Sequence, residues 1–161
     1  MKNSVLVIGL GNELRGDDAA GLEVVRRLRG RDLPPGIQVH AHGGEAVALL
    51  DVWADARAAL LVDTMRGGGG PPGTVHRFDL SPKSKRQRLD APLPSTSTHS
   101  IGVQQAIELG RTLRRLPRTL VVYGVEGSRF DPGTALSEGV VDAIEPLADA
   151  LMREAARLAA R

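Results

Sequence analysis

The run Val5-Leu6-Val7-Ile8 stops abruptly at Gly9-Leu10-Gly11-Asn12, and beyond it Gly21, Val24, Val25 and Leu28 recur at helical spacing. An unbroken apolar run bounded by a turn describes a strand buried on both faces, and such strands belong to sheets covered by helices. Arg26, Arg27 and Arg29 fall in the last turns of the helix, where cations suit its dipole, and Asp17 or Asp18 is placed to cap its first turn.

The same alternation continues along the chain. After Pro34-Pro35-Gly36, residues 37–41 read as a second strand, 45–54 as a helix, and 58–62 as a third strand ending at Asp63. Then the pattern changes. Gly67 to Gly70 and Pro71-Pro72-Gly73 form a connector without a helix, leading to a strand-like segment at 74–78. A parallel return needs a crossover of about a dozen residues or more, so this fourth strand is expected to run antiparallel to the third. Residues 80–98 read as a long basic loop rich in Pro and Ser, a length usually tied to function or mobility. A third helix at about 100–116 aligns Val103, Ala106, Ile107, Gly110 and Leu113. A fifth strand follows at 119–123, and a last helix at about 137–160, where Pro146 predicts a kink or break. The sum is a doubly wound α/β sheet with one antiparallel strand. A length of 161 residues suits one domain over 1–161, burying roughly two thirds of the unfolded chain's surface.

Composition removes several function classes. With no cysteine, disulfide scaffolds, thiol catalysis and thiolate metal sites are excluded. No apolar run approaches the roughly 20 residues needed to span a bilayer, and the first residues lack a small-residue cleavage site, so the expected location is the cytoplasm. The net charge is +2, and the one dense basic run is Lys83-Ser84-Lys85-Arg86-Gln87-Arg88. One Trp, one Tyr and two Phe make up the aromatics, and none lies in that run. It reads as a solvated loop, and neither nucleic acid nor membrane is expected as a partner.

Ligands of such sheets sit outside the carboxyl ends of the parallel strands. The first strand delivers Gly9 through Asp18 to that edge, the second His42-Gly43-Gly44, the third Asp63 and the fifth Gly124-Val125-Glu126. The third helix precedes an upward strand, so it begins at this edge, and His99 just before it lies there too. Asp18, Asp63 and His99 therefore converge. Two carboxylates and an imidazole suit a divalent transition ion, or the positioning of a water for hydrolysis with one carboxylate as base. Each residue alone has a plainer use. One aspartate of Gly16-Asp17-Asp18 could cap while the other functions; Asp63 could form a turn; His99 could be an ordinary helix-start residue. Gly9-x-Gly11 lacks the third glycine of a dinucleotide fingerprint, Leu14 standing in its place. His40 and His76 read as structural or surface residues.

The opening Gly9-Leu10-Gly11-Asn12-Glu13-Leu14-Arg15-Gly16-Asp17-Asp18-Ala19-Ala20-Gly21 resembles that of the hydrogenase maturation endopeptidases. The likeness extends to a strand ending at Asp63, a His before the third helix, Gly124-Val125-Glu126, and Leu136-Ser137 to Ile144-Glu145-Pro146. It implies a three-layer α/β/α fold of the phosphorylase/hydrolase-like kind, with a five-stranded mixed sheet. It implies Asp18, Asp63 and His99 as catalytic residues and metal ligands. The metal is nickel carried by the substrate, a nickel-loaded hydrogenase large-subunit precursor whose C-terminal extension is removed, and no permanently bound cofactor is expected. This chain departs from the family at His42-Gly43-Gly44-Glu45, where an aspartate is usual: an imidazole there could add a ligand or change the grip on the substrate tail. Ala19 and Gly127 are smaller departures. Gly-Leu-Gly-Asn also opens the peptidyl-tRNA hydrolases, but their continuation differs from Glu13 to Asp18. A nonenzymatic module binding nickel or the precursor is the alternative of another class.

Overall fold

Parity along the strands explains how the sheet is covered. In a strand, successive side chains face opposite ways. The computed structural model describes residues 4–83 and 98–161, with 98–100 as backbone only. Its elements are β1 (Ser4–Leu10), a 3₁₀ turn (Gly16–Ala19), α1 (Ala20–Arg29), β2 (Ile37–His42), α2 (Ala46–Trp53), β3 (Ala56–Met65), β4 (Val75–Asp79), α3 (Thr98–Thr112), β5 (Thr119–Glu126) and α4 (Glu138–Ala159). The sheet order is β2-β1-β3-β5-β4. Among the described strands only β4 is antiparallel, pairing with β5 from Val75 opposite Val125 to Asp79 opposite Val121. This is the five-stranded mixed α/β sheet expected from the sequence.

On one face Val5 and Val7 of β1, Leu60 and Val62 of β3, and Val121 and Tyr123 of β5 pack with α1 and α4. On the other, Leu6, Ile8, Ala59, Leu61, Leu120 and Val122 meet Trp53 of α2 and Ile107 of α3. Fully burying an aliphatic side chain contributes about 1.5–3 kcal/mol, so these two cores drive the layering.

Several local expectations are corrected. Neither Asp17 nor Asp18 is an N-cap residue: Arg15 precedes the 3₁₀ turn and Ala19 precedes α1, each without a side-chain cap bond. Of the kink or break expected at Pro146, the break does not occur: α4 runs unbroken through it. Pro146 lies on the exposed face, where water can satisfy the one carbonyl that loses its amide partner. Leu113 is half exposed rather than inward. The helix ends at Thr112, Arg114 takes φ 55°, and Leu116 folds back over Gly110 instead. Strands β3 and β5 run on past Val62 and Tyr123, so Asp63 lies within its strand and not after it. Most of the loop at 80–98 and of the basic run lies outside the described residues.

Candidate active site at the carboxyl edge of the sheet

The edge is built by close backbone approach. A Cβ at Gly21 would stand 2.4 Å from the Leu10 carbonyl oxygen and 2.5 Å from that of Val62, so only glycine lets α1 sit on the ends of β1 and β3. Gly11 has φ +148°, and a Cβ there would meet the Asp18 carbonyl oxygen at 2.0 Å. The Asn12 amide donates to that same carbonyl at 3.2 Å. The segment after β1 thus doubles back and returns Asp18 to the strand end it left.

The paired aspartates divide their work. Asp17 is fully buried. Its carboxylate accepts from the amides of Ser128 (2.8 Å), Arg129 (2.9 Å) and Ser137 (2.7 Å), and from the Ser137 hydroxyl (2.8 Å). Ser137 is the N-cap of α4, so Asp17 holds a helix start whose N-cap lies 120 residues later. Burial pushes the Asp17 carboxyl up, but the bonds from Ser128, Ser137 and Arg129 outweigh it, and the group ends below its ordinary value. Asp17 is therefore the fastener, leaving Asp18 as the candidate for chemistry.

Asp63 and Asp18 are each one residue from a single bond that ties their segments together. The Thr64 hydroxyl donates to the Asp17 carbonyl at 2.7 Å. Both carboxylates are almost fully buried, and Asp63 also accepts from the Thr64 amide at 2.8 Å. Asp63 shares parity with Ala59 and Leu61, on the face that α3 covers. The start of α3 is held at the same edge: a Cβ at Gly102 would stand 1.8 Å from the Gly44 carbonyl oxygen. His99, expected just before that helix, is instead its second residue, and its side chain lies outside the described residues. Among the described residues, no three His, Cys, Asp or Glu side chains form a group able to hold a metal. Two of the three proposed ligands are thus brought to adjoining segments, with the backbone of the third at the same rim.

A cleft of about 570 Å³ opens beside Asp18, lined by Gly11, Asn12, Glu13, Leu14, Arg15, Leu22, Ala41, His42, Gly43 and Glu45. Three acids against one arginine suit a cationic or metal-bearing guest. His42 stands opposite Leu10 in the β1–β2 register, and its Nδ1 accepts the Gly44 amide at 2.8 Å.

One pair was missed by the sequence reading. His76 of β4 and Glu126 of β5 approach to 3.4 Å between Nε2 and Oε1, and both atoms are buried without a hydrogen-bond partner among the described residues. A Cβ at Gly68 would meet that Oε1 at 2.3 Å, so the glycine connector packs directly over the pair. Strict alternation hid His76 as an ordinary strand residue, and the register that sets it opposite Gly124, two positions before Glu126, joins strands separated by α3 and leaves no local sequence signal.

A mixed α/β sheet with acids gathered at its carboxyl edge places the candidate site where ligands of such sheets sit. A family model described as hydrogenase maturation protease matches residues 22–154. The chain belongs to that family and is an endopeptidase. It is 26% identical to the hydrogenase 2 maturation protease of Escherichia coli over 145 residues, covering 88% of this chain and 84% of that one. It is 30% identical to the hydrogenase expression/formation protein HupM of Azotobacter chroococcum over 150 residues, covering 89% and 67%. The solved structure of the hydrogenase maturating endopeptidase HybD from Escherichia coli superposes with a TM-score of 0.80 at 24% identity, covering 94% of this chain and 91% of that one.

Proposed function

We propose that this endopeptidase removes the C-terminal extension of a nickel–iron hydrogenase large-subunit precursor after nickel insertion. Asp18, Asp63 and His99 grasp the nickel that the substrate carries, and the grip presents the scissile peptide to a water activated by one carboxylate. The observation that supports this most is the Thr64–Asp17 bond, which draws the segments of both acids together at the rim where α3 starts. Two carboxylate oxygens and an imidazole nitrogen form a donor set suited to a divalent transition ion. We assign the reaction to the cytoplasm: no helix among the described residues is long and apolar enough to cross a membrane, and the cysteine-free chain needs no oxidising compartment.

The decisive experiment incubates the protein with nickel-loaded and nickel-free precursor and weighs the products by mass spectrometry. Loss of a C-terminal peptide from the loaded form alone is the expected result. Cleavage of both forms alike defeats the nickel requirement, and binding of the loaded precursor without cleavage points to the nonenzymatic module. Asp18→Asn and His99→Ala are each expected to abolish processing while the circular dichroism spectrum stays that of the parent. Full cleavage by both variants would remove the site assignment.

A further inference from the structure

His42 lines the cleft beside Asp18, and its two ring nitrogens have different surroundings. Nδ1 accepts the backbone amide of Gly44 at 2.8 Å. An amide can only donate, so Nδ1 must offer a lone pair, and the neutral ring then carries its proton on Nε2. No other group among the described residues bonds to the ring. The half-buried imidazole of this lining residue therefore keeps an N–H, and not a lone pair, for a further partner.

Local geometry holds this state in place. Gly44 has φ +90°, a conformation that L side chains rarely adopt, and its carbonyl oxygen lies against Gly102 of α3. The amide that fixes the ring is thus locked between the end of β2 and the first turns of α3. Changing the tautomer would set two N–H groups against each other or break the Gly44 bond.

We propose that His42 is a specificity-determining hydrogen-bond donor that reads an oxygen acceptor on the substrate's C-terminal segment, and that it is not a metal ligand. This rests on the proposed processing of the precursor at Asp18, which the cleft borders. Around it Glu13, Asp18 and Glu45 present acceptors and Asn12 and Arg15 present donors, so His42 adds to these a donor whose tautomer the Gly44 amide fixes. A substrate that pairs with His42 must therefore place a carbonyl or carboxylate oxygen there. Removing the donor weakens ground-state and transition-state binding alike, which raises KM and leaves kcat in place.

Three measurements test this. Long-range nitrogen–proton NMR of the free protein is expected to show His42 as the Nε2–H tautomer; an Nδ1–H tautomer overturns the proposal whether or not the protein cleaves anything. Nickel ion alone, titrated into wild type and His42→Ala, is expected to give the same isotherm, and loss of binding in the variant makes His42 a ligand and overturns it. In precursor processing, His42→Gln keeps an N–H of similar reach and is expected to hold KM within about threefold of wild type. His42→Glu, of the same size without a donor, is expected to raise KM by about tenfold or more at unchanged kcat. Equal KM for Gln and Glu overturns the donor role. If wild type itself fails to process the precursor, the function fails while the NMR and nickel results still decide the state of the ring. Replacing acidic side chains of the precursor's tail by amides separates the two acceptors: persistence of the His42 dependence marks a backbone carbonyl, and its loss marks a carboxylate.

Discussion

Asp17 and Asp18 are neighbours in the chain and opposites in use. The Asp17 carboxylate satisfies three amides and one hydroxyl in a fully buried place, so Asp17→Ala leaves those donors without a partner. Breaking a buried charged network by removing one member typically costs about 3–5 kcal/mol. For a chain of this length that lowers Tm by about 10 °C or more, readable by differential scanning calorimetry. Asp18→Asn is expected to shift stability by no more than about 1 kcal/mol, yet to cut processing by about 100-fold or more. The pair of measurements separates fastener from functional acid. The sequence marked the two as a cap and a functional group without saying which was which. A cap reaching from residue 17 to residue 137 leaves no local pattern to read, because it depends on where the loop after β5 folds back.

Helix α3 reaches the edge only because Gly102 lets it. A Cβ there would press into the Gly44 carbonyl oxygen, which is backbone and cannot swing aside. Gly102→Ala therefore has to lift the first turns of α3 away from the end of β2, at about 1–3 kcal/mol. Processing is expected to fall further than that loss of stability explains, since the same shift displaces His99 and the Gly44 amide that holds His42. A crystal structure or amide exchange across 42–46 and 101–106 reads the displacement; unchanged activity with normal stability would contradict it. The strands, their directions and the carboxyl edge were legible in the sequence because buried apolar runs and connector lengths fix them. The behaviour of Leu113 and Pro146 was not. Helix periodicity says which face a residue would present while the helix lasts, but not that α3 ends at Thr112 and hands its contact to Leu116. Likewise it marks Pro146 as a breaker without showing that the freed carbonyl is on the wet side of α4.

Two buried carboxylates clamp parts of the fold that lie far apart in sequence, and both govern how the molecule responds to acid. Asp17 binds the opening loop to the segment between β5 and α4. Glu154 of α4 accepts two bonds from Arg77 of the edge strand β4 and one from the hydroxyl of Tyr123 in β5. Burial pushes the Glu154 carboxyl up, but Arg77 and Tyr123 outweigh it and hold it below the ordinary glutamate value. The same contacts raise the Arg77 guanidinium through Glu154, and the Tyr123 phenol through burial and then Glu154. A carboxylate held below its unfolded value contributes stability that is fully present above that unfolded value, near pH 4, and that disappears as pH falls through the folded one. Stability is thus expected to be level toward neutrality and to drop steeply below about pH 4. Glu154→Gln and Asp17→Asn remove one titrating clamp each. Both variants are expected to be less stable at pH 7, with a shallower decline on acidification than the parent. Denaturant unfolding at pH 7 and at pH 3 measures this, and the double variant is expected to show the least pH dependence of all. A parent-like acid slope in the double variant would mean that other carboxylates govern acid unfolding. Because β4 is the sheet's edge and its Arg77 is held by α4, loss of the Glu154 clamp frees that edge first. Amide exchange at 75–79 is therefore expected to accelerate in Glu154→Gln before exchange in β1 or β3 does.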